Sequence, residues 1–201
     1  MYKKFIKRPF DLLFSLTALL LLSPVLVIVG ILVKATSQGP VFFRQERAGK
    51  NGKYFRIFKF RSMAVDPDAE KKGFEPGSKM RVTPLGRILR KTKLDEFPQF
   101  FNVIKGEMSI VGPRPEVRKY VEAYPERWAK VLSISPGITD PGSIEFRNEE
   151  DILSASSAPE REYIENLLPQ KLDLYEKYAQ SISFLSDIRI IVRTMAAVVF
   201  K

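Results

Sequence analysis

The feature that most constrains this chain is a long apolar stretch near its N-terminus. Residues 12–33 are 22 consecutive residues without a charged side chain. About 20 apolar residues in a helix are enough to cross the hydrocarbon core of a bilayer. A buried helix this apolar is unusual in a domain of 201 residues, and the run is too long for a cleaved signal peptide. The stretch therefore predicts a membrane-embedded segment.

The middle of this stretch carries a helix-breaking pair, Ser23 and Pro24. Proline removes a backbone hydrogen bond and clashes with the preceding turn. Both flanks are basic, with Lys3, Lys4, Lys7 and Arg8 before the stretch and Lys34 after it. Because basic flanks favour the cytoplasmic side, we predict a re-entrant helix with both ends on that side and a break at Ser23-Pro24. The backbone groups that lose their helical partners at the break would form hydrogen bonds with the Ser23 hydroxyl or with neighbouring protein. A kinked conventional span is the alternative.

The amino-acid composition narrows the chemistry that is available. The chain has no cysteine and no histidine, which excludes disulfides, thiolate metal sites and the commonest general base. Any catalysis must use carboxylates, lysine, hydroxyl groups or a hard metal ion bound by oxygen.

The net charge of +10 is unevenly distributed. Residues 140–187 contain 11 acidic and 4 basic side chains, a net of −7, which leaves +17 for the rest of the chain. This asymmetry indicates a face that meets an anionic partner, although a solvated basic surface is the plain alternative. Basic and aromatic residues alternate over residues 34–61, a pattern that suits single-stranded nucleic acid or lipid headgroups. Its place directly after a membrane segment favours lipid, so no nucleic acid is expected.

The rest of the chain predicts an α+β fold: a small cytoplasmic helical domain with a short β-hairpin and interfacial amphipathic helices. We expect a membrane unit at residues 1–36 and a catalytic domain at residues 37–201. The predicted strands are residues 41–43 and 54–60, and residues 66–78 read as a loop. Helices are predicted at four places: from Thr83-Pro84 onward, at residues 117–131, in the acidic and solvent-facing stretch 149–174, and at residues 184–200 on the membrane surface.

Two adjacent carboxylates, Asp95 and Glu96, precede a further short helix. Pro98 is tolerated in a helix only within the first turn, so both carboxylates should lie at the helix N-terminus. Carboxylates at that place ordinarily complement the helix dipole. The spacing alone therefore leaves helix capping and catalysis both open.

Three ordered motifs resemble one known family. They read Lys-Phe-Arg-Ser-Met at 59–63, Leu-Asp-Glu-Phe-Pro-Gln-Phe-Phe-Asn-Val-Ile-Lys-Gly-Glu-Met-Ser at 94–109, and Gly-Pro-Arg-Pro at 112–115. Together they resemble the bacterial sugar transferases, the monotopic phosphoglycosyl transferases, in their minimal form. The resemblance covers nearly the whole chain, including the basic N-terminus and the Ser-Pro pair. One segment departs from it: after Pro-Gly-Ile-Thr at 136–139 the sequence of residues 140–146 differs from the usual family pattern, although Arg147 keeps the offset of the family arginine.

The resemblance implies a two-step transfer on the cytoplasmic face of the bacterial inner membrane. Asp95 would attack the sugar-bearing phosphate of a UDP-sugar, release UMP, and pass the phosphosugar to a polyprenyl phosphate. The cofactor would be Mg²⁺, bound by Asp95, and Glu96 would assist the metal or the acceptor. The candidate phosphate-binding residues are Lys59, Arg90, Arg114 and Arg147, and Arg8 would hold the polyprenyl phosphate. The helix N-terminus and the basic segment 79–93 should both favour the ionised form of Asp95.

Two other classes of protein fit parts of the pattern. A membrane-anchored protein that binds lipid or nucleic acid would use the basic aromatic surface without the acidic pair. A magnesium-dependent membrane phosphatase would pass the phosphoryl group to water instead of a lipid.

Overall fold

A computed structural model gives the fold of residues 1–65 and 81–199, so the loop predicted at residues 66–78 lies outside the described residues. The fold is α+β and mostly helical, as predicted. The helices are α1 (Lys7–Thr36), α2 (Pro84–Thr92), α3 (Gln99–Lys105), α4 (Arg118–Ala123), α5 (Pro125–Val131), α6 (Pro141–Glu145), α7 (Glu149–Ala155), α8 (Pro159–Glu162), α9 (Leu168–Gln180) and α10 (Phe184–Val199). Short π-helical turns at Tyr2–Ile6 and Tyr163–Leu167 precede α1 and α9.

The predicted hairpin is confirmed, and its first strand is longer than expected. Strand β1 (Phe42–Ala48) pairs antiparallel with β2 (Tyr54–Phe60), and Phe43 lies opposite Lys59. A 3-10 turn at Lys50–Gly52 joins them, and Asn51 adopts a left-handed φ of 57° there. Asparagine tolerates that conformation better than most residues, which is why the Asn-Gly pair forms the turn.

A second pair of strands was not predicted from the sequence. Strand β3 (Ser109–Val111) pairs in parallel with β4 (Gly137–Thr139). The two backbones approach so closely that a Cβ on Gly137 would lie 2.1 Å from the nitrogen of Gly112. Only glycine fits there. Strands of three residues are too short to show a period-2 pattern.

Helix α1 contains the apolar stretch and continues through Pro24 without interruption. The break and the re-entrant turn predicted at Ser23-Pro24 are therefore not confirmed. Pro24 cannot donate to the carbonyl of Leu20, one turn earlier. The Ser23 hydroxyl donates to that carbonyl at 2.8 Å, as the sequence suggested it would, and the single lost bond does not end the helix.

Both halves of α1 pack against the rest of the protein. Near its start, the Asp11 carboxylate accepts hydrogen bonds from the Ser109 hydroxyl (2.7 Å) and the Ile110 N–H (3.1 Å). Near its end, the buried residues Val29 and Val33 form an apolar cluster with Phe60 and Leu89. The helix therefore lies along the domain over most of its length of about 45 Å.

The largest core lies between α4, α5 and α9. Trp128, Tyr175 and Leu172 are fully buried there. The helix predicted at residues 117–131 is divided into α4 and α5 because Pro125 starts a new helix. The prediction that the acidic stretch faces solvent is wrong for α9, since Leu168, Leu172 and Tyr175 recur at helical spacing and point into the core.

Candidate active site

Asp95 and Glu96 lie in a 3-10 turn, Leu94–Glu96, between α2 and α3. Lys93, with a left-handed φ of 59°, ends α2 and turns the chain into this segment. Pro98 is the N-cap of α3, so its missing N–H costs no helical hydrogen bond. The two carboxylates precede a helix N-terminus as predicted, and each is only 7% exposed.

Glu96 is held by two cations from different parts of the fold. Its Oε1 lies 2.7 Å from Lys59 Nζ and 3.3 Å from an Arg114 guanidinium nitrogen. Burial alone would raise the pKa of Glu96, but the charges of Lys59 and Arg114 outweigh it and hold this pKa well below its usual range. Glu96 is therefore ionised in the folded protein at neutral pH.

Asp95 is in the opposite electrostatic situation. Its Oδ1 is buried and has no hydrogen-bond partner among residues 1–65 and 81–199. Burial raises the pKa of Asp95, the Glu96 charge raises it further, and the charges of Lys59, Lys93 and Arg90 offset this only in part. Lys93 at the end of the basic segment 79–93 and Arg90 within it favour the ionised form of Asp95, as expected, but removal from water and the Glu96 charge outweigh them, so the pKa of Asp95 is raised overall.

The turn that carries Arg114 is fixed by the parallel strands. The Gly112 N–H donates to the Thr139 carbonyl at 3.1 Å, and the Gly137 N–H donates to the Pro113 carbonyl at 2.8 Å. Since a proline stands on either side of Arg114, its backbone has little freedom. The charge of Glu96 raises the pKa of Arg114 well above its usual value, although burial opposes the shift.

Three of the other predicted residues lie further from the acidic pair. Arg90 on α2 forms an ion pair with Glu150 on α7. The Arg90 charge also lowers the pKa of Asp95. Arg147 is exposed after α6. The Arg8 guanidinium donates to the last carbonyls of α3, those of Val103 (2.6 Å) and Ile104 (3.0 Å). Arg8 thus caps a helix, and its proposed contact with a lipid phosphate stays a prediction.

The structure also brings residues to the site that sequence reasoning missed. A small cavity beside Glu96 is lined by Lys59 and Arg114 together with Arg47, Ile57, Gln99 and Pro115. The period-2 alternation of the hairpin places Arg47 on the same face as Lys59, because Arg47 lies opposite Phe55 and Phe43 opposite Lys59. The alternation along β1 could have predicted that Arg47 faces the site. It was missed because the strand was predicted to end at residue 43, before Arg47.

The site has the donor set that phosphate chemistry requires. Lys59 and Arg114 supply partly buried positive charge, and arginine can bind a phosphate through two hydrogen bonds. Asp95 supplies a buried oxygen, Oδ1, that has no hydrogen-bond partner in the described part of the chain, and such an oxygen can act as a nucleophile or bind a hard cation. The structure brings together Asp95, Glu96, Lys59 and Arg114, with Arg90 at the edge.

Comparison with known proteins agrees with this geometry. The family model described as "Bacterial sugar transferase" matches residues 2–201. A UDP-N-acetylgalactosamine-undecaprenyl-phosphate N-acetylgalactosaminephosphotransferase from Aeromonas hydrophila is 47% identical over 60% of this chain and 28% of its own length. A UDP-glucose:undecaprenyl-phosphate glucose-1-phosphate transferase from Klebsiella pneumoniae is 43% identical over 73% of this chain and 32% of its own length.

A third relative is similar in size to this chain. The exopolysaccharide production protein ExoY from Rhizobium meliloti is 35% identical over 96% of this chain and 84% of its own length. The chain thus spans about a third or less of the first two relatives and most of the third. Since the family model covers the acidic pair, the Arg114 turn and α1 alike, this protein belongs to the bacterial sugar transferase family.

Proposed function

We propose that the protein transfers a sugar 1-phosphate from a UDP-sugar to a polyprenyl phosphate and releases UMP. The observation that carries this proposal is the buried pair of adjacent carboxylates with opposite pKa shifts. Glu96 is paired with Lys59 and Arg114, and Asp95 Oδ1 has no hydrogen-bond partner within residues 1–65 and 81–199. Family membership and the names of the two undecaprenyl-phosphate transferases support the same reaction.

The proposed reaction has two balanced steps. In the first, an Asp95 oxygen attacks the sugar-bearing phosphorus, the bond from that phosphorus to the bridging oxygen breaks, and UMP leaves with the electron pair. In the second, an oxygen of the polyprenyl phosphate attacks the same phosphorus and regenerates the Asp95 carboxylate. A covalent intermediate divides one difficult transfer into two easier ones.

The residues around Asp95 have distinct roles in this scheme. Lys59 and Arg114 neutralise the negative charge that develops on the transferred phosphoryl group. Glu96 orients both cations through its Oε1 and does not itself react. Because the pKa of Asp95 is raised, the activity should fall as the pH drops through that pKa, which lies above the ordinary carboxyl value of 3.8.

The Asp95 Oδ1 oxygen has the chemistry of a Mg²⁺ ligand. Asp95 Oδ1 is a buried, hard ligand without a hydrogen-bond partner in the described ranges 1–65 and 81–199, and no group of three or more acidic side chains that could enclose a metal is found there. Mg²⁺ is commonly held by one or two carboxylates, with water and substrate phosphates completing its coordination. When bound, the ion would supply positive charge to the phosphates.

Release of UMP tests the reaction. The purified protein is incubated with polyprenyl phosphate and a panel of UDP-sugars, and UMP and lipid-linked product are measured together. We expect equal amounts of the two with at least one sugar. Free sugar phosphate or inorganic phosphate without a lipid product would indicate a phosphatase, and the absence of any turnover would leave only a binding protein.

We also propose that the protein is embedded in the cytoplasmic leaflet of the bacterial inner membrane, with both ends of α1 on the cytoplasmic side. Within the described residues, Tyr2–Thr36 is the one helix long and apolar enough to cross a membrane. Contacts with the domain at Asp11 and at Val33 are separated by about 33 Å of helix. A helix that crossed a hydrocarbon core of about 30 Å could not make both contacts with a charged domain on one side.

Cysteine labelling tests this topology against a conventional span. The native chain has no cysteine, so the background is clean. A cysteine inserted before Tyr2 and one placed after Lys201 should both be shielded from a membrane-impermeant thiol reagent in intact cells. Labelling of the N-terminal site alone would establish a span and contradict the proposal.

A further inference from the structure

A cluster of aromatic and basic side chains lies on the hairpin and on α3, and the proposed reaction does not use it. The ring centroids of Phe42 and Phe58 are 6.3 Å apart, and those of Phe58 and Phe101 are 6.4 Å apart. The Arg44 guanidinium carbon and the Lys105 Nζ lie 4.4 Å and 4.6 Å from the centroid of the Phe58 ring. These five residues form the aromatic-cation patch.

The patch lies on the face of the hairpin that is turned away from Lys59. Successive side chains of a strand point to opposite faces, so Phe58 and Lys59 lie on different faces of β2. Arg44 is the cross-strand partner of Phe58, and Phe42 is that of Phe60, which places all four on one face. The patch is therefore separate from the phosphate-binding side of the hairpin.

The patch borders helix α1 at two places. Phe42 stacks on Phe60 with the ring centroids 5.4 Å apart, and Phe60 belongs to the apolar cluster that contains Val33 near the end of α1. Lys105 is the last residue of α3, and the final carbonyls of α3 accept hydrogen bonds from Arg8 near the start of α1. The patch is thus continuous with the helix that we propose to be embedded in the membrane.

The exposure of the patch changes along the hairpin. Phe42 is 38% exposed and Phe101 is 44% exposed, and exposed aromatic surface is unfavourable in water. Further from α1, the same face of the hairpin carries Glu46 opposite Arg56. The face therefore changes from aromatic beside α1 to fully charged towards the turn, as expected for an element that enters the interfacial layer of a membrane from one end.

We propose that the aromatic-cation patch is a second membrane-contacting surface that binds anionic lipid headgroups. Phe42 and Phe101 lie at the boundary between headgroups and acyl chains, and Arg44 and Lys105 bind lipid phosphates. Both cations complement the negative surface of the cytoplasmic leaflet. Their apolar stems can lie along a ring while the charged ends stay in the headgroup layer. This inference rests on the proposed embedding of α1 and is independent of the transfer reaction.

Tryptophan fluorescence tests the contact with lipid, because Trp128 is the only tryptophan of the chain and is fully buried. The whole chain with Phe101→Trp is reconstituted in vesicles of phosphatidylglycerol and phosphatidylcholine with brominated acyl chains, and unbrominated vesicles are the reference. Bromine should quench roughly half of the emission that the substitution adds, since the ring reaches the acyl chains. The matched control is Lys53→Trp at the exposed hairpin turn, about 23 Å along the strand from Phe60, which should not be quenched.

A tryptophan on α1 separates this inference from the proposed embedding. Leu20 is 75% exposed on that helix. Quenching of Leu20→Trp without quenching of Phe101→Trp would refute the patch and leave the embedding of α1 intact. If neither is quenched, both proposals are wrong. Phe42→Trp reports from the other end of the patch if Phe101→Trp does not fold, and it should also be quenched.

The two cations are tested in the Phe101→Trp protein at low salt. Adding Arg44→Gln and Lys105→Gln should lower the quenching by about half, because the attraction to anionic lipid is lost. Adding Lys50→Gln and Lys53→Gln instead removes two exposed charges at the turn and should leave the quenching unchanged. Equal quenching in the two proteins would overturn the contact with lipid phosphates. An emission change with a single-stranded oligonucleotide, but not with brominated lipid, would assign the patch to nucleic acid and overturn the proposal.

Discussion

The site around Asp95 and the outer face of α1 and α10 depart in opposite ways from the usual pattern of a soluble protein. In the site, charged side chains are buried: Asp95 and Glu96 are each 7% exposed. On the outer face, large apolar side chains are exposed, and they are Leu13, Leu16, Leu20, Leu21, Val27, Ile28 and Ile31 of α1 with Leu185, Val192 and Met195 of α10. Burial of charge and exposure of apolar surface are both unfavourable in water.

The difference indicates what each region binds. In the site, Lys59 and Arg114 neutralise Glu96, while Asp95 Oδ1 lacks a partner in the part of the chain that is described. Under the proposed function, such a site would be completed by a cation and a phosphate. The exposed apolar side chains of the outer face are completed by an apolar solvent, which for a bacterial protein is the lipid bilayer. Three predictions test the need of the site for charged ligands separately from the need of the outer face for lipid.

The largest effect is expected at Asp95, the proposed nucleophile. Asp95→Asn should lose turnover by many orders of magnitude, because the amide cannot form the covalent intermediate. It should also raise the unfolding midpoint by about 2–4 °C, the effect of roughly 1 kcal/mol in a domain of this size, since an ionised Asp95 destabilises the fold at neutral pH. Turnover assays and thermal denaturation of the purified variant measure both. Near-normal turnover would refute the assignment, and a lower midpoint would show that Asp95 stabilises the fold.

A smaller loss is expected at the Arg114 turn. Arg114→Ala should lower kcat/KM at least tenfold, which is about 1.4 kcal/mol of transition-state stabilisation. Arg87→Ala is the matched control, because Arg87 is an exposed cation on α2 that should mainly attract lipid, at about 1 kcal/mol. Both variants are assayed in detergent, where attraction to anionic lipid no longer contributes. Equal losses would mean that Arg114 acts only as a surface charge.

The smallest effect is expected on the outer face. Leu20 is 75% exposed and Val33 is 1% exposed on the same helix. Leu20→Gln should weaken partition into vesicles about fivefold and change the stability in detergent by less than about 0.5 kcal/mol. Val33→Ala should do the reverse, with little effect on partition and a loss of roughly 2 kcal/mol from the cavity it creates. If Leu20→Gln destabilises the protein in detergent as much as Val33→Ala, the exposed face packs against protein instead of lipid.

Elements with strong local signals were predicted well. The Thr83 hydroxyl accepts a hydrogen bond from the Gly86 N–H at 2.9 Å and caps α2, as the Thr-Pro pair indicated. The Asn-Gly turn and strand β2 were also correct. Elements without a local signal were missed: β3 and β4 are too short to show a period, and they form because Gly112 and Gly137 allow a close backbone contact between distant segments.

The sequence by itself determined the family, the apolar helix, the acidic pair and the identity of the residues in the ordered motifs, because these depend on residue type and order along the chain. Only the tertiary structure decided which charges meet. The pairing of Glu96 with Lys59 and Arg114, and of Glu116 with Arg47, joins positions 18 to 69 residues apart. The directions of the two pKa shifts follow from that pairing and from burial, and neither can be read from local sequence, because desolvation depends on everything that surrounds the carboxylate.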